Sequence, residues 1–178
     1  MALRLSRLRA LRAWVPVSMN VRLLMTNVTI QPLIEHANAI PNIAAWFYEE
    51  WREIYGEETR ASVQQRIETW LTRNQIPTAL AAVVEGQVIG TVALKESELQ
   101  FPYSPWLAGL FVIPPLRRKG VGALLVSAAE CEAASLGIEC LYLYTPNSLA
   151  FYESLGWLLV ERCQLPSGSV AVMSKRLQ

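Results

Sequence analysis

One strand–turn–helix segment near the middle of the chain constrains the fold more than any other part of the sequence. Trp106–Ile113 is a continuous apolar run that Pro114 and Pro115 end. Such a run is typical of a strand buried on both faces, although periodicity alone also allows a helix. Gly120 to Leu136 then places an apolar stripe at helical spacing, and Gly137 follows as a helix-ending residue. A buried strand followed by a long helix predicts an α/β fold around a central sheet.

The turn between these two elements, Leu116 to Gly122, is suited to binding an anion. Backbone N–H groups at the start of a helix are free to donate, and Gly120 and Gly122 let a ligand approach the backbone closely. The turn adds three adjacent cations, Arg117, Arg118 and Lys119. The pattern favours a pyrophosphate, yet it is neither a Walker A loop nor a dinucleotide fingerprint, whose third glycine position is Leu125 here. Taken alone, it is also compatible with an ordinary solvated basic turn.

The rest of the body shows strand and helix patterns in a mixed order. Strands are predicted at 28–34, 78–84, 87–94, 140–144, 157–164 and 169–175, and helices at 42–55, 62–73 and 148–154. The order is βααββ, then βαβα, then ββ, without an internal repeat. The sequence therefore predicts a mixed α/β domain, with a central mixed β-sheet flanked by helices.

The residue types that the chain lacks exclude several kinds of chemistry. Its 178 residues include no Asp, and His36 is the only histidine, so a His-dependent triad, a two-His metal site or a His acid/base pair cannot be assembled. The cysteines Cys131, Cys140 and Cys163 contain no CxxC pair, which argues against a disulfide framework or a zinc knuckle and fits a reducing compartment. We therefore expect no metal. A net charge of +1 indicates no nucleic-acid partner.

Residues 1–26 form a basic N-terminal extension ahead of a body predicted to span residues 27–178. The extension carries five arginines and no acid, whereas the remaining chain has a net charge of −4. Such a start resembles an organelle transit peptide or a helix on an anionic surface, and an extension without function is the alternative. Its charges recur too often for a transmembrane span. We expect a cytoplasmic protein, or an organellar one if the extension is a transit peptide.

Two motifs in the body resemble those of the GNAT superfamily of N-acetyltransferases. Arg117-x-x-Gly120-x-Gly122, after a strand ending in Val-x-Pro, resembles the family's acyl-CoA pyrophosphate motif. The segment 151–157, Phe-Tyr-Glu-Ser-Leu-Gly-Trp, resembles its second signature, an aromatic–Tyr pair followed by glycine and an aromatic residue. A helix and a strand lie between the motifs, as the family requires. The resemblance implies a GNAT-like acyltransferase fold for residues 27–178.

The resemblance also implies acetyl-CoA as the co-substrate. It assigns the pyrophosphate to Arg117, Arg118, Lys119, Gly120, Val121, Gly122 and Ala123. It assigns the pantetheine to the main chain of Phe111, Val112 and Ile113. In the family this strand carries a bulge whose N–H polarises the thioester carbonyl, and we expect the bulge near Leu110 to Val112.

The resemblance places Tyr152 at the family's general-acid position, where a phenol can hydrogen-bond the departing sulfur. A core tyrosine beside Phe151 is the alternative, and Phe151 itself is assigned to the cofactor. Many members carry Asn seven residues before this tyrosine, and that position is Thr145 here. We therefore expect Thr145 to contact the cofactor, since Asn147 is out of register.

No side chain is assigned as the general base, and His36 is expected at the surface. The candidates are a water chain or one of the carboxylates Glu49, Glu50, Glu53, Glu96 and Glu98. In the family the first helices shape the acceptor pocket, and aromatic faces with carboxylates suit a cationic amine. We expect Trp46, Glu50 and Tyr103 to contact the substrate, with core aromatics and solvated glutamates as the alternative.

The predicted function is acetyl-CoA-dependent N-acetylation of a primary amine of a small molecule or a peptide. The alternative is a non-catalytic acyl-CoA-binding domain that senses or regulates. The presence of Tyr152, expected beside the sulfur of the acyl-CoA, favours the enzyme over the binding domain, because a domain that only binds acyl-CoA does not need a phenol there. The acceptor and the oligomeric state stay open, and a homodimer is one option because dimers are common among relatives.

Overall fold

Seven strands form one mixed sheet in the computed structural model, which describes residues 27–97 and 101–178. The strands are β1 (Thr29–Pro32), β2 (Thr78–Val84), β3 (Gln87–Lys95), β4 (Trp106–Val112), β5 (Cys140–Thr145), β6 (Leu158–Leu165) and β7 (Gly168–Arg176). Their order across the sheet is β1-β2-β3-β4-β5-β7-β6. The helices are α1 (Ile40–Glu50), α2 (Arg52–Tyr55), α3 (Arg60–Glu68), α4 (Val121–Ser135) and α5 (Leu149–Ser154), with 3-10 helices at Leu33–Ala39 and Pro114–Leu116.

The mixed α/β fold predicted from the sequence is confirmed, and the main differences lie before β2. The first strand, expected over 28–34, ends at Pro32, and Leu33 and Ile34 belong to a 3-10 helix. The helix expected over 42–55 is divided at Trp51, which packs edge-on against Phe47 at 4.6 Å. The next helix starts earlier than expected and is capped by Thr59, whose hydroxyl accepts from the backbone of Ser62 at 3.2 Å. A serine side chain thus completes the capping box in place of the usual Glu or Gln.

Residues 1–26, the predicted basic extension, lie outside the described part of the chain, as does Glu98. Within residues 27–97 and 101–178, no helix has the length and apolar character needed to cross a lipid bilayer.

The parallel strands β4 and β5 are paired only briefly, so the sheet has an opening between them. These strands are paired at one position, Trp106 with Tyr142, next to a hydrogen bond from Tyr142 N to Pro105 O of 3.0 Å. All other neighbouring strands are antiparallel and paired over several residues. Towards their carboxyl ends β4 and β5 therefore separate, and the β5-facing edge of β4 beyond Trp106 has no strand partner in the described structure.

A bulge interrupts β4 on its other edge. Ala93 pairs with Ala108 and Thr91 with Phe111, so Gly109 and Leu110 together lie opposite one residue of β3. Gly109 has φ +59°, a left-handed conformation that glycine adopts without a steric penalty. The bulge expected near Leu110 to Val112 is thus present and begins one residue earlier.

Helices cover the two faces of the sheet differently. On one face, called the back face, α4 packs with Leu107, Val112, Leu141 and Leu143. On the other, the front face, α1 and α3 pack with Phe111 and with inward-facing residues of β2 and β3. Successive residues of a strand point to opposite faces, so β5 presents Tyr142 and Tyr144 to the front.

A partly buried polar network ties α4 to the end of α5. Glu130 accepts from the Trp157 indole N–H at 2.8 Å and from Lys175 Nζ at 2.7 Å. The same ammonium donates to Leu155 O at 2.7 Å. Because Glu130 satisfies both donors, this network holds the segment after α5, and with it Tyr152, against the central helix.

Candidate active site

The loop before α4 presents unpaired backbone donors. Gly120 caps the helix in a left-handed conformation, φ +87°, and offers no side chain to the first turn. The first intrahelical bond runs from Leu124 N to Gly120 O at 3.0 Å. Consequently the N–H groups of Val121, Gly122 and Ala123 have no backbone acceptor in the described structure. Three convergent donors at the positive end of a 15-residue helix form an anion site.

The preceding residues hold this loop in place. Pro114–Leu116 forms one 3-10 turn, in which Leu116 N donates to Ile113 O at 2.9 Å and the Leu116 side chain is buried. Arg118 then adopts a left-handed φ of +57°. The buried leucine anchors the turn, while two left-handed positions, Arg118 and Gly120, direct the chain into the helix.

The three cations of the loop point in different directions. Arg117 folds back onto the sheet: its Nε donates to Val112 O at 2.8 Å, its Nη2 to Glu50 at 2.9 Å, and its guanidinium lies 5.2 Å from the Phe111 ring centroid. Arg118 and Lys119 are exposed and have no acidic partner within the described ranges. These two side chains are therefore the ones free to meet an anion at the helix terminus.

The opening between β4 and β5 leads to this loop. The loop follows the carboxyl end of β4, and the bulge at Gly109 and Leu110 lies on the strand that borders the opening. The N–H of Ile113 donates to Ile89 O at 2.9 Å, and the carbonyl of Ile113 accepts from Leu116 N. The preceding residue Val112 therefore directs its main chain away from β3, where its carbonyl already accepts from Arg117 and its N–H is the group more accessible to a ligand in the opening.

The second motif packs against the first. A Cβ on Gly122 would lie 3.5 Å from the Phe151 ring, so α5 lies directly beside the start of α4. Phe151 contacts Tyr152 edge-on at 5.0 Å, and Tyr152 contacts Trp157 at 6.0 Å. Tyr152 is 7% exposed, and burial raises its pKa to about 12. The phenol therefore keeps its proton at neutral pH and serves as a hydrogen-bond donor.

Thr145 ends β5 and starts the turn into α5. Its hydroxyl oxygen accepts from Ser148 N at 3.0 Å, and its side chain is buried. The hydroxyl hydrogen stays available to another acceptor. Asn147, two residues on, is exposed.

The residues predicted to contact the acceptor divide into two groups. Trp46 is 7% exposed and stacks on Phe111 at 5.5 Å, which places it in the core of the front face. Glu50 lies nearby in its ion pair with Arg117. Tyr103 lies elsewhere on the front face, where it stacks on Tyr142 at 4.9 Å. The structure thus brings Trp46 and Glu50 together and leaves Tyr103 apart from them.

Sequence reasoning missed three residues beside Tyr103. Tyr142 and Tyr144 of β5 face the same side, and Glu161 of β6 accepts from the Tyr103 hydroxyl at 2.8 Å. We call Tyr103, Tyr142, Tyr144 and Glu161 the front-face cluster. The alternation Leu-Tyr-Leu-Tyr in β5 was the signal that could have identified two of them.

His36 lies away from this region, near β1. Its Nε2 is hydrogen-bonded to the Gln31 side chain at 2.6 Å. Across the part of the chain that the structure describes, no three His, Cys, Asp or Glu side chains are grouped to hold a metal ion.

Comparison with known proteins agrees with this geometry. A model of the acetyltransferase (GNAT) family matches residues 40–157. An aminoglycoside 6'-N-acetyltransferase complexed with coenzyme A superposes with a TM-score of 0.68 at 20% identity, covering 83% of this chain and 96% of that one. An N-acetyltransferase, PaiA, from Thermoplasma acidophilum in complex with coenzyme A gives 0.63 at 22% identity, covering 84% and 99%.

The aminoglycoside 6'-N-acetyltransferase from Enterococcus faecium gives a TM-score of 0.64 at 19% identity, covering 83% of this chain and 96% of that one. Among curated proteins, no sequence matches this chain. The structures share the fold, and the family model spans both motifs and the strands between them. The chain therefore belongs to the GNAT acetyltransferase family.

Proposed function

We propose that this protein transfers the acetyl group of acetyl-CoA directly to a primary amine of a small molecule or a peptide. The observation that carries the proposal is the set of unpaired N–H groups at Val121, Gly122 and Ala123, beside the opening between β4 and β5. Coenzyme A complexes among the structures with the same fold support the choice of co-substrate.

The residues of the loop fit a pyrophosphate. The three N–H groups would donate to its oxygens, with Arg118 and Lys119 supplying positive charge from the exposed side. Gly120 and Gly122 keep the approach free of side chains, since a Cβ at Gly120 would meet nothing within 4 Å. Phe151 and the hydroxyl of Thr145 border the same space from α5 and β5.

The bulge in β4 would hold the reacting carbonyl. At Gly109 and Leu110 the backbone leaves the regular ladder, so a main-chain N–H there can point into the opening instead of to β3. A fixed N–H beside the thioester would stabilise the negative charge that develops on its oxygen as the amine nitrogen forms its bond to carbon. The amine loses a proton and the sulfur leaves with the electron pair of the broken C–S bond.

Tyr152 would stabilise the departing sulfur. Its phenol is a donor at neutral pH because burial raises its pKa to about 12. A free thiol has a pKa of roughly 8.5, so complete transfer of the proton from Tyr152 to the thiolate is uphill. The phenol therefore acts mainly as a hydrogen-bond donor to developing negative charge, and solvent supplies the proton afterwards.

The state of the cysteines supports a reducing compartment for this protein. Cys131, Cys140 and Cys163 are all free thiols, one of them exposed. Free thiols are stable where the cell is reducing, which supports a cytoplasmic location.

Calorimetric titration with acetyl-CoA, followed by thiol release over a panel of amines, tests the proposal. Binding together with release on one class of amine supports it. Binding without release on any amine would instead support the alternative, a regulatory acyl-CoA-binding domain. Absence of binding would refute the assignment of the loop.

A further inference from the structure

The front-face cluster combines aromatic rings with a carboxylate. Tyr103 stacks on Tyr142 with an interplanar angle of 13°, and Trp106 lies beneath both, at 6.3 Å and 6.1 Å. Tyr144 extends the group, edge-on to Trp106 at 6.3 Å. Trp106 is buried, so the half-buried tyrosine rings form the accessible part of this group, and Glu161 lies at its Tyr103 end.

Strand register explains why Glu161 reaches this group. β7 pairs Val172 with Tyr144 on one side and with Glu161 on the other. The neighbouring residue Met173 packs with α4 on the back face, so Val172 and its partners face the front. The carboxylate, two strands from Tyr144, is then reached by the hydroxyl of Tyr103.

Glu161 has no cationic partner in the described structure, unlike several other carboxylates. Ion pairs hold Glu35, Glu50, Glu58 and Glu130. Glu161 accepts instead from a neutral phenol, and its negative charge raises the pKa of Tyr103, through their hydrogen bond first of all. Arg176 lies at the opposite, amino end of β5, paired with Cys140.

The cluster lies within reach of the proposed reaction centre. Trp106 is three residues before Gly109 along β4, and a strand rises about 3.3 Å per residue, so the aromatic group begins on the order of 10 Å from the bulge. Trp106 and Tyr142 lie where β4 and β5 are still paired, and Tyr144 lies beyond that point, on the side where the strands separate.

We propose that the front-face cluster binds a second cationic group of the acceptor, which makes the acceptor an elongated diamine or polyamine. This inference rests on the proposed function, because it takes the bulge as the place of acetyl transfer. One amine of the acceptor lies at the bulge, and the other lies against Glu161 and the tyrosine rings.

The chemistry of the cluster selects a cation over other ligands. An unpaired carboxylate repels anions, and ring faces attract an ammonium group through their quadrupole. A neutral ligand would leave the carboxylate bound only to the phenol and water. The distance then favours amines whose two charges are separated by a flexible chain.

Linear diaminoalkanes and monoaminoalkanes of matched length test this inference. The wild-type protein, saturated with coenzyme A, is titrated calorimetrically with each amine, and thiol release from acetyl-CoA is measured separately. We expect long diamines to bind about tenfold more tightly than the matched monoamines, and Glu161→Gln to remove that difference. Tyr103→Leu should reduce it as well, because it removes a ring face.

Glu132→Gln is the matched control, since Glu132 lies on α4 behind the sheet and the change in charge is the same. The inference is overturned if Glu161→Gln leaves the preference for diamines intact, or if wild-type protein shows no preference. Absence of thiol release with every amine would instead overturn the proposed activity. The binding titrations still decide on the cluster in that case.

Discussion

Tyr152→Phe removes one hydroxyl and leaves the aromatic ring in place. The ring packs between Phe151 and Trp157 and is 7% exposed, so these contacts persist in the variant. No described protein group is bonded to the hydroxyl, so none loses a partner. We therefore expect the free energy of unfolding to change by no more than about 1 kcal/mol.

The effect on turnover should be far larger. If the hydroxyl donates to the developing thiolate, its removal costs roughly 3–4 kcal/mol in the transition state, which is about 10²- to 10³-fold in kcat. The affinity for acetyl-CoA should stay within about twofold, because the loop N–H groups are untouched.

Thiol release under saturating acetyl-CoA measures kcat, and calorimetry measures cofactor affinity. Tyr48→Phe is a matched control, since it removes the same atom from α1. A kcat for Tyr152→Phe within about threefold of the wild type would refute the role of the hydroxyl, because that is under 1 kcal/mol.

The pH dependence gives a second check. With a pKa of about 12, Tyr152 stays protonated over the whole accessible range, and only deprotonation above that value would abolish its donor. The wild type should therefore lose no kcat through Tyr152 below about pH 10. An alkaline loss near pH 9 that disappears in Tyr152→Phe would contradict this assignment.

Three further substitutions test the loop and the scaffold. Gly120→Val forces a β-branched residue to φ +87° and should weaken acetyl-CoA binding at least about tenfold, measured by calorimetry. Gly137→Val is the control: it has the same kind of strain, at φ +77°, but lies beyond the far end of α4 and should not weaken binding. Gly90→Ala places a Cβ 2.7 Å from Phe111 O and should lower the free energy of unfolding in urea by roughly 1–3 kcal/mol. Glu130→Ala leaves the Trp157 indole without its acceptor and the Lys175 ammonium without its carboxylate, and should lower the free energy of unfolding by about 2 kcal/mol; an unchanged urea midpoint would contradict the network.

Local patterns in the sequence were sufficient for most of the elements. The β2–β3 hairpin starts and ends within one residue of its prediction, because two nearly continuous apolar runs flank a Glu-Gly turn that has positive φ at both positions. Helix α4 was predicted equally well from its apolar stripe and from Gly137. The break at Trp51 was missed because no glycine or proline marks it in the sequence; Trp51 leaves the helical conformation where its ring contacts Phe47 and Phe111.

The same distinction between local patterns and long-range contacts applies to the residues of the candidate site. Gly120, Gly122 and Tyr152 could be identified from motifs because each depends on local geometry within one turn or one helix. The contact of Arg117 with Glu50 joins residues far apart in the chain, as does that of Tyr103 with Glu161. No local pattern specifies which strand lies beside which, and thus none could predict these contacts.

The sequence by itself determined the α/β class, the glycine-containing turn before α4 and the family, because hydrophobic period, glycine placement and motif spacing act over a few residues. Tertiary structure decided where the sheet opens, that Trp46 lies in the core and that Glu161 accepts a hydrogen bond from Tyr103. These features depend on register between strands distant in the chain, and register is set by the packing of whole faces.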